Sequence, residues 1–287
     1  MEIQAAQRVI GLDERPLLMG VVNVTPDSFF DGGRYFDPGA AVEHSLRLTA
    51  EGADLLDIGA ESTRPGSLPV DEAEESRRLI PVVAAVAKAV SVPISVDTSK
   101  AAVAQAAIDA GAVIVNDVTA LRGDQAMVGL VARTGAGLVL MHMQGTPRTM
   151  QQAPRYDDVV EDVRSFLLER AGFAMEHGVA KSQILLDPGI GFGKVLVQNL
   201  DLLARLAVFA NTGFPLLVGP SRKAFIGRLV DRPVQDRAWG TAAAVALAVV
   251  QGAHVLRVHD VAAMRDVVKV AAAISRRTSF PLREQHA

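Results

Sequence analysis

Short apolar runs in this chain repeatedly end on a residue with usable chemistry. Asn23, Asp97, Asn116, Met141 with His142, Asp187, Ser221 with Arg222 and Lys223, and Arg257 with His259 all stand at or just past such runs. Asp97, Asn116, Asp187 and Lys223 together suit the edge of a flat heterocycle that carries both hydrogen-bond donors and acceptors. A carboxylate only accepts, so Asp187 fits an edge presenting two N–H groups. A charge-assisted pair of that kind is strong and orienting. Arg64, Arg222, Arg257 and the His259 imidazole suit an anion such as phosphate. Asn23 offers a hard oxygen, and one amide oxygen plus phosphate oxygens is a normal way to hold Mg2+. No His/Cys or multi-carboxylate cluster points to zinc. Taken singly, each residue has a plainer reading. An Asp after a strand is usually a cap or turn former. Asp57 reads as structural, His142 as packed core, and Lys194 as a solvated loop lysine. The joint arrangement is harder to dismiss than its members.

Asp187 opens the most heavily punctuated loop. It ends the run Ile184–Leu186, and Pro188, Gly189, Gly191, Gly193 and Lys194 follow. A phosphate-binding P-loop needs a glycine where Pro188 stands and a Ser or Thr where Val195 stands. The dinucleotide pattern fails too, because Lys194 takes the place of its third glycine. The loop therefore reads as one that passes close to a ligand rather than one that wraps a phosphate.

Such a rim of polar residues needs elements that bring it to one face. The short apolar runs are Leu17–Val22, Leu55–Ile58, Ile94–Val96, Val113–Val115, Leu138–Met141, Ile184–Leu186, Pro215–Val218 and Val255–Val258. Flanked by turn signals, they read as buried strands. Helical patterns separate them. Asp37 and Pro38 suit a helix start running to about Glu51, and Asp71, Glu72, Glu74 and Glu75 crowd the start of the next helix, as the macrodipole favours. Continuous apolar strands alternating with helices imply a parallel sheet covered on both faces. The repeated strand–helix unit fits a (β/α)8 TIM barrel with a short N-terminal extension. A doubly wound open sheet would carry a nucleotide fingerprint at its first crossover, and residues 25–33 (TPDSFFDGG) are not one. In a barrel all the strand ends share one face. We expect an N-terminal extension or hairpin over 1–16, one catalytic domain over 17–280 and a tail over 281–287.

Composition narrows the function classes. The chain has 287 residues, a net charge of -3 and no cysteine. Nothing suggests nucleic acid or an acidic membrane surface as a partner. Disulfides, thiolate metal sites and a cysteine nucleophile are excluded. The longest uncharged stretch, between Arg237 and His254, is too short and too interrupted to span a bilayer. No signal peptide is apparent, so a cytoplasmic protein is expected.

Eight motifs carry a resemblance: NVTPDSFFDGG (23–33), GAESTRPGS (59–67), VDTSKAAV (96–103), IVNDVTA (114–120), MHMQGTP (141–147), DPGIGFGK (187–194), GPSRKAFIG (219–227) and RVHDV (257–261). In this order the chain resembles the dihydropteroate synthases, from about residue 17 to 270. The resemblance implies a (β/α)8 barrel, a homodimer and a Mg2+-dependent reaction of folate biosynthesis. That reaction joins 4-aminobenzoate to 6-hydroxymethyl-7,8-dihydropterin diphosphate and releases pyrophosphate. It implies Asn23 as the metal ligand and Asp97, Asn116, Asp187 and Lys223 as the pterin set. Thr63, Arg257 and His259 would meet diphosphate and pterin, with Arg64 and Ser221 as neighbours. Phe29, Pro65, Phe192, Ser221 and Arg222 would surround 4-aminobenzoate, and Met141 lies at the same rim. Asp97, Asp187, Lys223 and Arg257 are the residues expected to act in catalysis. Phe30 stands where Ser is common and Val195 where Thr is common.

An arylamine is neutral at pH 7, so the nucleophile needs no strongly shifted base. It needs a good leaving group, which Mg2+ with Arg257 and His259 can stabilise. The dihydropterin ring can delocalise positive charge at its methylene, which favours a dissociative route, and Asp97 and Asp187 would offset that charge. Loops 25–33 and 62–67 are expected to close over the site. Rival readings are a corrinoid-dependent pterin methyltransferase barrel, a catalytically silent pterin-binding paralogue, and a Schiff-base aldolase using Lys223. The uncharged helix Ala238–Val250 is expected at a dimer interface.

Overall fold

The computed structural model describes residues 1–12, 15–25, 38–62 and 66–276. The chain opens with two short strands, β1 (Glu2–Ala5) and β2 (Arg8–Gly11), paired antiparallel. Eight parallel strands then form one sheet: β3 (Leu17–Asn23), β4 (Leu55–Gly59), β5 (Ile94–Asp97), β6 (Ile114–Asp117), β7 (Gly137–Met141), β8 (Ile184–Asp187), β9 (Leu217–Val218) and β10 (Val255–Val258). Between and after them lie α1 (Pro38–Glu51), α2 (Glu72–Ala89), α3 (Ala101–Asp109), α4 (Ala126–Thr134), α5 (Val159–Glu176), α6 (Leu196–Ala204), α7 (Ala207–Ala210), α8 (Ala224–Val230), α9 (Ala238–Val250) and α10 (Val261–Arg276). The strand order β8-β7-β6-β5-β4-β3-β10-β9 wraps around, and a bridge between Leu186 and Leu216 joins its two ends. This is the TIM barrel expected from the alternation.

Local chemistry accounts for the ends of the helices. Asp71 caps α2, its carboxylate accepting from the Glu74 N–H at 2.8 Å, which satisfies one of the first-turn donors. Asp158 caps α5 in the same way. Gly135 ends α4 with a left-handed φ of 69°, a conformation glycine adopts without a Cβ penalty.

Two apolar layers hold the barrel. Outward-facing strand residues such as Leu18, Leu56, Val96, Val115, Leu140 and Leu186 pack under the helices. Inward residues Met19, Leu55, Ile114, Val139, Leu185, Leu217 and Val255 form a second cluster with Ile3, Ala5 and Leu12. The N-terminal hairpin is thus a plug: it seals the end of the barrel opposite the strand C-termini. Moving two residues along each strand, the inward positions change character. Met19, Leu55, Ile114, Leu185 and Val255 give way through Val21, Asp57, Asn116, Asp187 and Arg257. A side-chain period of two carries an apolar floor into a polar mouth.

Candidate active site

At that mouth the strand-end residues form one connected network. Asp57, on β4, is fully buried. Its Oδ2 accepts from Arg257 Nε on β10 at 2.7 Å and from Asn116 Nδ2 on β6 at 3.1 Å. A second Arg257 nitrogen reaches Asp97 Oδ2 on β5 at 3.3 Å. Four strands therefore share one guanidinium and its acceptors. The reading of Asp57 as structural is sharpened here, because it touches two of the candidate site residues directly. Three buried oxygens around this network, Asp57 Oδ1, Ser95 Oγ and Asn116 Oδ1, have no hydrogen-bond partner in the protein.

The electrostatics follow from burial. Desolvation, then the neighbouring Asp57 carboxylate, pushes Asp97 up to about 7 against the pull of Arg257. Burial also raises Asp187, opposed by the Gly189 N–H and by the positive charges of Lys223 and Arg257. Burial works against charge on Arg257 as well, but Asp57 and Asp97 hold it above its ordinary value. Raised carboxyl groups beside a retained cation are a common signature of a functional site.

Asp187 ends β8, and its Oδ1 accepts from Gly189 N at 2.7 Å. Gly189 sits at φ 66°, and a Cβ there would collide with the His142 carbonyl oxygen. Only glycine lets the loop after β8 lie on the loop after β7. Lys194 rivets the two loops together. Its Nζ meets His142 Nδ1 at 3.0 Å and the carbonyl oxygens of Gly189, Phe192 and His142 at 3.0, 2.9 and 3.3 Å. The solvated reading of Lys194 is thus overturned: it is 3% exposed. Burial pushes its amino group down to about 7, Asp187 opposing and Lys223 adding to the shift. The three carbonyl oxygens nonetheless match the three donors of an ammonium rather than the two of an amine. His142 is packed core, as expected, set edge-on against Phe166 at 4.8 Å.

The riveted loop presents Phe192. Lys223 Nζ lies 3.9 Å from the centre of its ring, a cation–π contact. Met141, Met143, Met150 and Val118 form a small apolar cluster against which Phe192 packs. This gives a flat ligand an apolar face beside polar edges. Ser221 Oγ lies 3.0 Å from His259 Nδ1 and accepts from the His259 N–H at 3.2 Å. Burial first, then Arg257, Arg222 and Lys223, push the His259 imidazole down to about 3, which favours its neutral form. Arg222 is committed elsewhere: both its Nε and a terminal nitrogen bond the Asp260 carboxylate. Asn23 ends β3, paired across the sheet with Gly59, and its amide bonds no described residue.

Thr63, Arg64, Pro65 and Phe29 lie outside the described residues, as do Asp37 and most of the two loops expected to close. Nearby, Lys100 pairs with both Glu61 and the fully buried Glu75, tying the chain before Thr63 to α2. Sequence reasoning passed over this triad. Its one signal was Glu75 falling on the buried face of α2 with Leu79, Val82 and Val86. Among the described residues no group of three or more His, Asp or Glu side chains is placed to hold a metal.

Residues 19–259 match the model of the family described as pterin binding enzyme. The chain belongs to the pterin binding enzyme family. Within it, the chain is similar to the dihydropteroate synthase of Escherichia coli strain K12, 47% identical over 255 residues that cover 89% of this chain and 90% of the relative. It is similar in structure to a Xanthomonas albilineans dihydropteroate synthase solved with 4-aminobenzoic acid: TM-score 0.89, 48% identity, covering 95% of this chain and 97% of that one. The Xanthomonas albilineans enzyme in complex with 7,8-dihydropteroate gives a TM-score of 0.87 and 46% identity, covering 96% and 98%. Among the described residues no helix is long and apolar enough to cross a membrane.

Proposed function

We infer that this chain is a dihydropteroate synthase. The observation that carries the reading is the mouth of the barrel, where Asp97, Asn116, Asp187 and Arg257 converge from four strands beside the stacked Phe192 and Lys223. Relatives similar along almost the whole chain carry that name. Asp187 takes the N–H edge of the pterin, Asn116 and Asp97 take further ring groups, and Lys223 donates to a ring acceptor. Met141 and Phe192 supply apolar contact, and Phe192 with Ser221 borders 4-aminobenzoate.

In the reaction the arylamine nitrogen forms a bond to the pterin methylene. The methylene–oxygen bond breaks, and its electron pair leaves on pyrophosphate. The proton shed by the new secondary amine passes to solvent. Carboxylates held close to the ring favour positive charge developing there. Arg257 and the neutral His259 stabilise the departing anion. The Asn23 amide oxygen is a hard donor that would help to hold Mg2+. When bound, the ion draws charge from the leaving group. Thr63 and Arg64 belong to the same anion side on the motif alone. Arg222 orients the loop through Asp260 and borders the second substrate. Lys223 caps α8 rather than lying inside a strand, which argues against a Schiff-base aldolase.

Incubation with the dihydropterin diphosphate, 4-aminobenzoate and Mg2+ should give equal amounts of pyrophosphate and 7,8-dihydropteroate. Asp187→Ala should lower kcat/KM by roughly 100-fold, the scale of losing a charge-assisted bond in a dry site. Asp201→Ala, on an exposed helix face, should leave it unchanged. Absence of both products from the native chain overturns the reading.

A further inference from the structure

Arg222 stands between two residues of the mouth, and its backbone is left-handed, with a φ of 57°. A residue with a Cβ takes that conformation at a cost, and it persists where the surroundings hold it. The Asp260 ion pair holds the Arg222 side chain. The backbone is held from the start of α9. The Arg222 N–H donates to the Thr241 hydroxyl at 3.0 Å, and Thr241 is fully buried. Arg237 grips the other side of the turn. One terminal nitrogen of its guanidinium donates to the carbonyl oxygens of Arg222 and Lys223 at 3.0 and 3.4 Å, and its Nε donates to the Arg232 carbonyl oxygen at 3.1 Å.

Glycines inside two helices permit this approach. A Cβ on Gly227, in α8, would stand 2.3 Å from an Arg237 guanidinium nitrogen. One on Gly240, in α9, would stand 2.3 Å from a methyl carbon of Ile226 in α8. Glycine weakens a helix interior; here it lets α9 lie directly against α8 and the turn before it. The left-handed residue separates Ser221, whose Oγ accepts from the His259 N–H at 3.2 Å, from Lys223, whose Nζ lies 3.9 Å from the centre of the Phe192 ring. The turn at Arg222 therefore sends one side chain towards the end of β10 and the other towards the loop after β8.

We propose that Thr241 and Arg237 are positioning residues: they hold Arg222 left-handed and so aim Ser221 and Lys223 at two sides of the mouth. Both act through the Arg222 backbone rather than on a substrate. The proposal rests on the dihydropteroate synthase reading, and part of its test needs no substrate.

Thr241→Val keeps the shape of the side chain and removes the acceptor. Thr241→Ser keeps the acceptor and removes a methyl group. Positioning predicts that Thr241→Val lowers kcat/KM about tenfold, the scale of one buried N–H left unpaired, and that Thr241→Ser stays within about twofold of the native chain. A role in packing alone reverses that ranking and would overturn the proposal. Gly227→Ala suits a helix better but pushes the Arg237 guanidinium off its carbonyls, so kcat/KM should fall about fivefold. A rate retained there overturns the assignment of Arg237. NMR of lysine isotope-labelled at its ε-carbon reads the geometry without substrate. The Lys223 signal, identified by its absence from Lys223→Arg, should lie upfield because the Phe192 ring shields it. Thr241→Val should lose that displacement and Thr241→Ser should keep it. Should Thr241→Val not fold, Gly227→Ala decides, since it too should lose the displacement. A Lys223 signal shielded alike in the native chain and in every folded variant overturns the proposal. A native chain that shows the shielded signal but forms no dihydropteroate counts instead against the function proposed above.

Discussion

Asp97 is pulled in two directions. In the proposed reaction it has to be ionised to accept from the pterin and offset positive charge, yet burial and Asp57 raise it from 3.8 to about 7. The consequence for stability has a definite sign. Below pH 4 the group is protonated in folded and unfolded chains alike. Between its unfolded and folded values the folded chain holds the extra proton, so stability falls as pH rises and levels off above 7. Asp97→Asn removes the titration. Its melting temperature should gain steadily on that of the native chain from pH 4 to pH 7 and then keep a constant lead. Activity should be lost at every pH, a trade of function against stability at a strained site. In the native chain kcat/KM should rise with pH towards 7 as Asp97 ionises. A melting difference that stays flat across this range would show that burial does not strain Asp97.

The elements place these residues, and the loop after β8 depends most on one of them. Lys194 bonds three carbonyl oxygens and an imidazole nitrogen. Lys194→Met fills the space but leaves those acceptors unpaired. Buried unpaired groups cost about 1–3 kcal/mol each, offset in part because the buried charge goes too. The melting temperature should drop by several degrees. KM for 4-aminobenzoate should rise more than KM for the pterin, because Phe192 rides on this loop and Asp187 is held by β8. Equal rises in both would deny Lys194 its role in setting Phe192. The strands themselves were legible because each is a short apolar run stopped by a polar residue, and α9 appears with the bounds its uncharged run suggested. Lys194 was misread because a lysine after glycines looks solvated until the β7 loop is seen against it. The hub role of Asp57 was hidden for a similar reason. Its partners lie on strands far away in sequence, at separations of 59 and 200 residues. Period-two alternation with Leu55 was the available hint, since it turns Asp57 into the barrel, where a carboxylate needs partners.

At the scale of the whole molecule, the uncharged α9 raises the last question. Its inner face, with Thr241, Ala244, Val245, Ala248 and Val249, packs inside the protein. Its outer face carries Trp239, Leu247 and Val250, and α10 beside it adds Val270 and Ile274, all exposed. Trp239 is 87% exposed. An apolar patch of this kind on neighbouring helices marks an interaction surface. Two-fold pairing is the commonest way to cover such a patch with a second copy. We therefore propose that the chain forms a homodimer through α9 and α10, with the two barrel mouths left open. Trp239 is the sole tryptophan, so its fluorescence reports on this face alone. Diluting the protein through the dissociation constant should shift the emission to the red as the indole meets water. Sedimentation should show the mass falling from that of two chains to one over the same range. Leu247→Glu should produce the monomer at concentrations where the native chain is paired, because it sets a charge at the centre of the contact. Melting of that variant should no longer depend on concentration, whereas the native chain should melt higher as its concentration rises. A native chain that sediments as a monomer at tens of micromolar, with Trp239 emission unchanged on dilution, would remove the interface from this face.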